Sequence, residues 1–193
     1  MILNERDARH EHILQVARQM MTAARTAPKG KGIDIIEMVL ITDEEIKLLS
    51  DTMVAMVEEH GMKFFLRDAD NILNAECVIL IGTREQAQGL NCGHCGFATC
   101  AGRTEGVPCA LNSIDVGIAI GSACATAADL RVDTRVMFSA GLASPTPELA
   151  ERLQNGNGRF RSAHLPKIRS STGSRNRRIK INTGCRRMNK PII

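Results

Sequence analysis

The chain has 193 residues, 44% of them hydrophobic, with five Phe and neither Trp nor Tyr. That length supports one domain with a real core, with or without an appendage, and so few aromatics argue against a base-stacking nucleic-acid surface. The net charge of +4 conceals two halves: residues 1–143 carry 13 Lys and Arg against 19 Asp and Glu, whereas residues 144–193 carry 12 against 2.

No apolar run approaches a membrane span and the charged N-terminus is not signal-like, so a soluble, cytoplasmic protein without a membrane partner is expected. Residues 4–26 read as an amphipathic helix: Asn4 suits an N-cap, and Ala8, Ile13, Val16, Ala17, Met20, Met21 and Ala24 recur at helical spacing. Pro28 ends it, and Lys29 to Gly32 form a basic loop. Residues 33–42 are apolar and β-branched, a buried strand. Thr42 and Glu45 make a capping box for a helix over 43–60, closed by Gly61. Residues 64–66 are a short strand candidate and 77–81 a second buried strand, with Cys77 in the core. Residues 113–130 predict a helix of small residues packed on all sides, burying Cys124, and residues 134–140 predict a third strand. The alternation indicates an α/β or α+β fold.

Between the second strand and the small-residue helix lies the chemistry. Cys92, Cys95, Cys100 and Cys109 follow the spacing C-x2-C-x4-C-x8-C among glycines. Seven cysteines, an odd number with four of them crowded, do not suit a secreted disulfide framework. Four thiolates hold either a [4Fe-4S] cluster or a tetrahedral zinc. Zinc sites commonly present two separated C-x2-C knuckles; one knuckle plus two unequally spaced cysteines favours the cluster. Gly93 and Gly96 let the backbone curl and aim N–H groups at sulfur, and Pro108 stiffens the approach to Cys109. His94 could replace one ligand, although a solvent-facing position suffices for it. Asp68 and Asp115 are explained by capping or loop hydrogen bonds, and no Ser/His/Asp, phosphate-loop or dinucleotide signature appears.

Several segments together resemble the uncharacterised prokaryotic ferredoxin-domain proteins. They are Ala24-Arg-Thr-Ala-Pro-Lys-Gly-Lys-Gly32, Leu66-Arg-Asp-Ala69, Ile81-Gly-Thr83, the cysteine block from Gly89, Gly106-Val-Pro-Cys109, Ser113-Ile-Asp-Val-Gly-Ile-Ala119 and Asp133-Thr-Arg-Val-Met-Phe-Ser139. The resemblance covers residues 1–143 and implies a 4Fe-4S domain with Cys92, Cys95, Cys100 and Cys109 as ligands, without implying a reaction. A fainter similarity, in the helix ending Ala-Pro and in Asp115-x-Gly-x-Ala119, points to the nitroreductase fold, a dimeric α+β flavoprotein. That similarity implies a mixed sheet with flanking helices, FMN and a homodimer. The Arg-Ser motif that holds FMN phosphate in that family has no counterpart; Arg25, Lys29 and Lys31 either stand in for it or form a solvated basic loop. The functional readings are therefore an iron–sulfur electron carrier or oxidoreductase serving a redox partner or small-molecule acceptor, an FMN reductase fed by the cluster, and a zinc-stabilised interaction domain. A nucleic-acid binder using the basic tail is the weakest of them.

Members of the ferredoxin-domain family end in an apolar strand followed by a segment close to Pro-Phe-Phe-Asp-Arg. Residues 144–193 instead read as a basic tail, disordered or out of frame. Codons able to encode residues 165–173, read from their third base, yield Pro-Glu-Asp-Pro-Phe-Phe-Asp-Arg, and those for 159–164 permit Val-Pro-Ile-Ser-Ala-Ser. A slip of one or two bases between about Gly141 and Arg159 explains both the charge reversal and the lost periodicity. It would leave a sheet edge unpaired and Cys185 without a role. Sequencing the coding DNA is expected to reveal the slip; codons over residues 159–173 that cannot encode the alternative segment exclude it.

Overall fold

The computed structural model describes residues 2–84, 86–143, 160–161 and 165–169. Helix α1, Glu5–Thr26, starts as its sequence dictates: the Asn4 side chain accepts the Arg6 N–H at 3.1 Å. Its apolar stripe Ile13, Val16, Ala17, Met20 and Ala24 is buried. Strand β1, Ile36–Ile41, leads into α2, Asp43–His60, then α3, Phe64–Ile72, and β2, Cys77–Arg84. After the cysteine loop come α4, Ala110–Asp129, β3, Asp133–Met137, and α5, Phe138–Ala143. Two short strands, β4 at Phe160–Arg161 and β5 at Leu165–Arg169, complete the sheet.

The sheet runs β1-β2-β5-β3, with β4 also paired to β2, and every pairing is antiparallel. Strand β2 is its axis. Period-two alternation sends Cys77, Ile79 and Ile81 to one core with α1 and α4, and Val78 and Leu80 to a second core with α2, α3 and α5. Both faces of the strand are covered, which accounts for its unbroken apolar run. On β1 the same alternation puts Ile36, Met38 and Leu40 toward the first core and Val39 and Ile41 toward the second.

The structure corrects several expectations. Residues 64–66 open a helix rather than forming a strand, because Phe65, Ala69 and Ile72 recur at helical spacing and bury one face; three residues are too short a window to show it. The strand expected over 134–140 stops at Met137, and Phe138 to Ala143 coil, burying Ala140 and Ala143 in the second core. Thr42 occupies the N-cap of α2, yet its side chain makes no capping bond; its carbonyl accepts the Glu45 N–H at 3.1 Å instead. Gly61 does close that helix, left-handed at φ 68°. Helix α4 is not packed all round: Ile114 and Ile118 are exposed while Val116, Ala119, Ala123 and Ala127 are buried. Its 20 residues are long and apolar enough to cross a membrane by length and composition, but its buried face belongs to the core with α1. Of the tail, expected to be disordered or out of frame, the described residues are those of β4 and β5; its other residues, with His164 and Cys185 among them, lie outside the described set, as does the His60 side chain.

Cys77 is fully buried, as expected. Burial, with a smaller push from Glu76, raises its thiol pKa from about 9 to about 12. An unfolded chain therefore loses this proton first, and the stabilisation is complete below about pH 9 and drains away as pH rises toward 12. Urea unfolding across that window should show the native protein losing up to about 1.4 kcal/mol per pH unit more than Cys77→Ala. Parallel pH slopes for the two proteins would contradict this.

Candidate metal centre

The end of β2 and the start of α4 frame the cysteine loop. Asn112, in the first turn of α4, donates from Nδ2 to the Gln86 carbonyl at 2.6 Å, fixing the helix start beside the strand's exit. Cys109 is the N-cap residue of that helix and is 7% exposed. Burial opposes ionisation of its thiol, but the backbone N–H groups of Gln88, Asn112 and Leu111, helped by the Arg103 guanidinium, outweigh it and hold the pKa below the ordinary value. One ligand candidate is thus seated in a nest of donors and poised toward thiolate.

The other three ride on an exposed loop. Cys92 is exposed, Cys95 and Cys100 are half-buried, and all six cysteines of the described residues are free thiols. Glycines at 89, 93, 96 and 106 take positive φ between 71° and 87°, and Asn91 joins them at 48°, so the chain reverses repeatedly over a short length. A Cβ at Gly93 or Gly96 would meet nothing, so it is conformation rather than space that requires glycine there. Asn91 ties the loop across itself: its N–H donates to Cys100 Sγ at 3.3 Å, and its Oδ1 accepts the Cys100 N–H at 2.7 Å. His94 is exposed, with Nδ1 3.3 Å from the Cys92 carbonyl oxygen. Among the described residues no three Cys, His, Asp or Glu side chains converge closely enough to grip a metal ion. The four cysteines expected to act together are thus divided between a curved, exposed loop and one anchored thiol.

The sequence gives no signal for the polar residues around that anchor. Among the described residues, the buried side-chain polar atoms without a partner are Gln88 Nε2 and Oε1, Arg103 Nε and Asn112 Oδ1. These are three of the residues that surround the Cys109 thiol. Gln88 and Asn112 are 5% and 3% exposed, and a buried unpaired amide costs about 1–3 kcal/mol. Gln88 beside Gly89, and Asn112 three residues after Cys109, belong to no motif. A buried thiol beside two orphaned donors, Gln88 Nε2 and Arg103 Nε, fits the chemistry of an iron–sulfur group, whose sulfurs accept such bonds.

Beside this nest lies the basic turn. Both carboxylate oxygens of buried Asp115 accept the Gly30 N–H at 3.0 Å, which joins the turn Gly30–Gly32 to α4. Asp115 is thus a tether, in keeping with the loop hydrogen bond expected of it. The three cations proposed for a flavin phosphate all have internal acceptors. Arg25 pairs with Asp34 at 2.8 Å and with the Ile36 carbonyl at 2.6 Å. Burial works against Asp34, yet Arg25 and the Ile36 N–H outweigh it and keep its carboxyl below the usual range. Lys29 Nζ covers the carbonyls of Ala24, Arg25 and Ala27 at the end of α1, and Lys31 Nζ donates to the Gln88 carbonyl at 3.1 Å. Cys124 is half-buried rather than buried; desolvation raises its pKa, against a hydrogen bond with Thr134. His10 is taken by Glu76 at 2.8 Å.

Residues 105–153 match a family described as uncharacterized proteins containing a ferredoxin domain. An uncharacterized protein of Archaeoglobus fulgidus is 39% identical over 154 residues, spanning 75% of this chain and 83% of that relative. The chain belongs to this ferredoxin-domain family. Its fold is that of the nitroreductases. An FMN-bound nitroreductase of Desulfitobacterium hafniense aligns at TM-score 0.58 and 12% identity, covering 97% of this chain and 100% of the other. One of Bacteroides fragilis, also with FMN, aligns at 0.59 and 10%, covering 91% and 87%. The nitroreductase CinD of Lactococcus lactis, in complex with nicotinic acid, aligns at 0.59 and 14%, covering 92% and 84%. The family match ends at residue 153, within the interval where the reading frame is expected to slip.

Removing the Asp115 carboxylate leaves the Gly30 N–H without its acceptor. Asp115→Ala should cost about 1–3 kcal/mol in urea unfolding and speed tryptic cleavage after Lys29 and Lys31. Unchanged cleavage would show that the turn is held by other means.

Proposed function

We propose that the protein is a redox protein built around a [4Fe-4S] cluster ligated by Cys92, Cys95, Cys100 and Cys109. The observation that carries the reading is the nest at Cys109: a thiol drawn toward thiolate, ringed by Gln88, Arg103 and Asn112, whose buried side-chain atoms lack partners. Membership of a ferredoxin-domain family and a fold shared with FMN-bound oxidoreductases support a redox role. A cluster bound there supplies one-electron transfer. The chain's own share is to supply four thiolates, to curl the loop on its positive-φ glycines and to aim backbone N–H groups at sulfur, as Asn91 does at Cys100. Gathering Cys92, Cys95 and Cys100 onto Cys109 draws on ligation free energy, the usual coupling of metal binding to local folding. The electrons would pass to a redox partner protein or a small acceptor in the cytoplasm.

A second reading, an FMN-dependent reductase fed by the cluster, is favoured by the two orphans that are oxygens. Gln88 Oε1 and Asn112 Oδ1 accept hydrogen bonds, and cluster sulfur donates none, whereas a flavin ring N–H does.

Anaerobic purification with reconstitution should give a brown protein holding about four iron per chain and an iron–sulfur EPR signal on reduction. Cys95→Ser should lose most of that iron while the far-UV circular dichroism stays native. A colourless wild type that binds zinc alone would replace the reading with the structural one, and released flavin would select the reductase.

A further inference from the structure

Two of the segments singled out in the sequence, Leu66-Arg-Asp-Ala69 and Asp133-Thr-Arg-Val-Met-Phe-Ser139, take no part in the cysteine loop. The structure brings them together as walls of one cleft of about 470 Å³ between α3, β3 and α5, a size typical of small-molecule pockets, roughly 300–1,000 Å³. Its polar core is built in. Ser139 Oγ donates to Asp68 Oδ2 at 2.7 Å, with the residues 1% and 8% exposed, and Arg67 Nε donates to Asp68 Oδ1 at 2.9 Å. Asp68, expected to act as a cap or loop acceptor, instead joins α3 to α5 and orients Arg67.

The lining then offers more than the fold consumes. Arg67 spends only Nε on Asp68, and its terminal nitrogens have no partner among the described residues. The exposed Arg135 side chain makes no hydrogen bond or ion pair with any described residue. Two guanidinium groups face a single carboxylate that is already engaged, so the cleft is net positive. Phe64 and Phe138, 37% and 46% exposed, add aromatic surface, and Val136 adds aliphatic surface. Guanidinium forks match carboxylates bidentately, and exposed rings favour a flat apolar body.

We propose that this cleft binds a small aromatic carboxylate, with Arg67 and Arg135 holding the anion and Phe64 and Phe138 flanking the ring. The site shares no residue with the cysteine loop, so it stands or falls independently of the cluster. The probe is benzoate, titrated by calorimetry into the full-length protein as purified, with iron content measured alongside. Saturable binding is expected, with neutral benzamide and non-aromatic acetate each weaker by about tenfold or more. Arg135→Gln, a change at an exposed strand position, should weaken benzoate by about tenfold while the circular dichroism melt stays unchanged, and Arg135→Lys should recover part of the loss. Absence of saturable benzoate binding, equal binding of benzamide or acetate, or an unaffected Arg135→Gln would each overturn the assignment.

Discussion

Residues 77–82 of β2 are all buried, and a strand covered on both faces leaves its neighbours little freedom. Each residue must commit its side chain to one core or the other, and its backbone must find ladder partners because water cannot supply them. Strand β1 satisfies one edge over six consecutive register pairs, while β5 and β4 satisfy the other at its two ends. The helices are distributed accordingly, with α1 and α4 on the face of Ile79 and Ile81, and α2, α3 and α5 on the face of Leu80. A one-residue slip of β2 would exchange the two cores, so the register is strongly fixed.

That constraint reaches the candidate site through short connections. The chain leaves β2 at Arg84, and within a few residues Gln86 and Gln88 are engaged by Asn112, Lys31 and Cys109. Carboxylates secure longer reaches. Asp115 ties a turn 85 residues earlier to the first half of α4, and Asp68 joins α3 to a serine 71 residues later. Each bond closes a large loop with one buried group, and each group would be costly to leave unpaired. Both acidic residues look like ordinary loop acceptors in the sequence; the structure makes them the joints between distant segments.

Legibility in the sequence followed length and period. Helices α1, α2 and α4 and strand β2 announce themselves because their patterns run long enough to reject alternatives, and Asn4 and Gly61 mark helix ends by chemistry found nowhere else nearby. Residues 64–66 failed because three residues cannot distinguish periods of 2 and 3.6, and Phe138 failed because it continues the apolar Val136-Met137 end of the strand. The cysteine spacing stands out in the sequence, since few roles explain four thiols among glycines, and the structure places three of them on one exposed loop and the fourth at the start of α4. The nest around Cys109 stayed hidden. Gln88, Arg103 and Asn112 are single polar residues at unrelated positions, and only burial without partners singles them out.

The four thiols differ in how the fold prepares them, and the difference has a direction. Cys109 is the N-cap of a core helix and lies among backbone donors, so its position is set by β2 and α4. Cys92 sits in the exposed part of a loop held by a few hydrogen bonds, with exposed His94 beside it. The proposed cluster, if it bridged them, would have its inner side on the core, where low polarity and N–H donors would tune it. Its outer side would lie toward solvent, on the exposed face of the loop. On the proposed reading, the rigid end would fix where the cluster sits and the compliant end would let the remaining thiols close around it; a loop with all four cysteines rigid would demand a near-perfect cage from the fold alone.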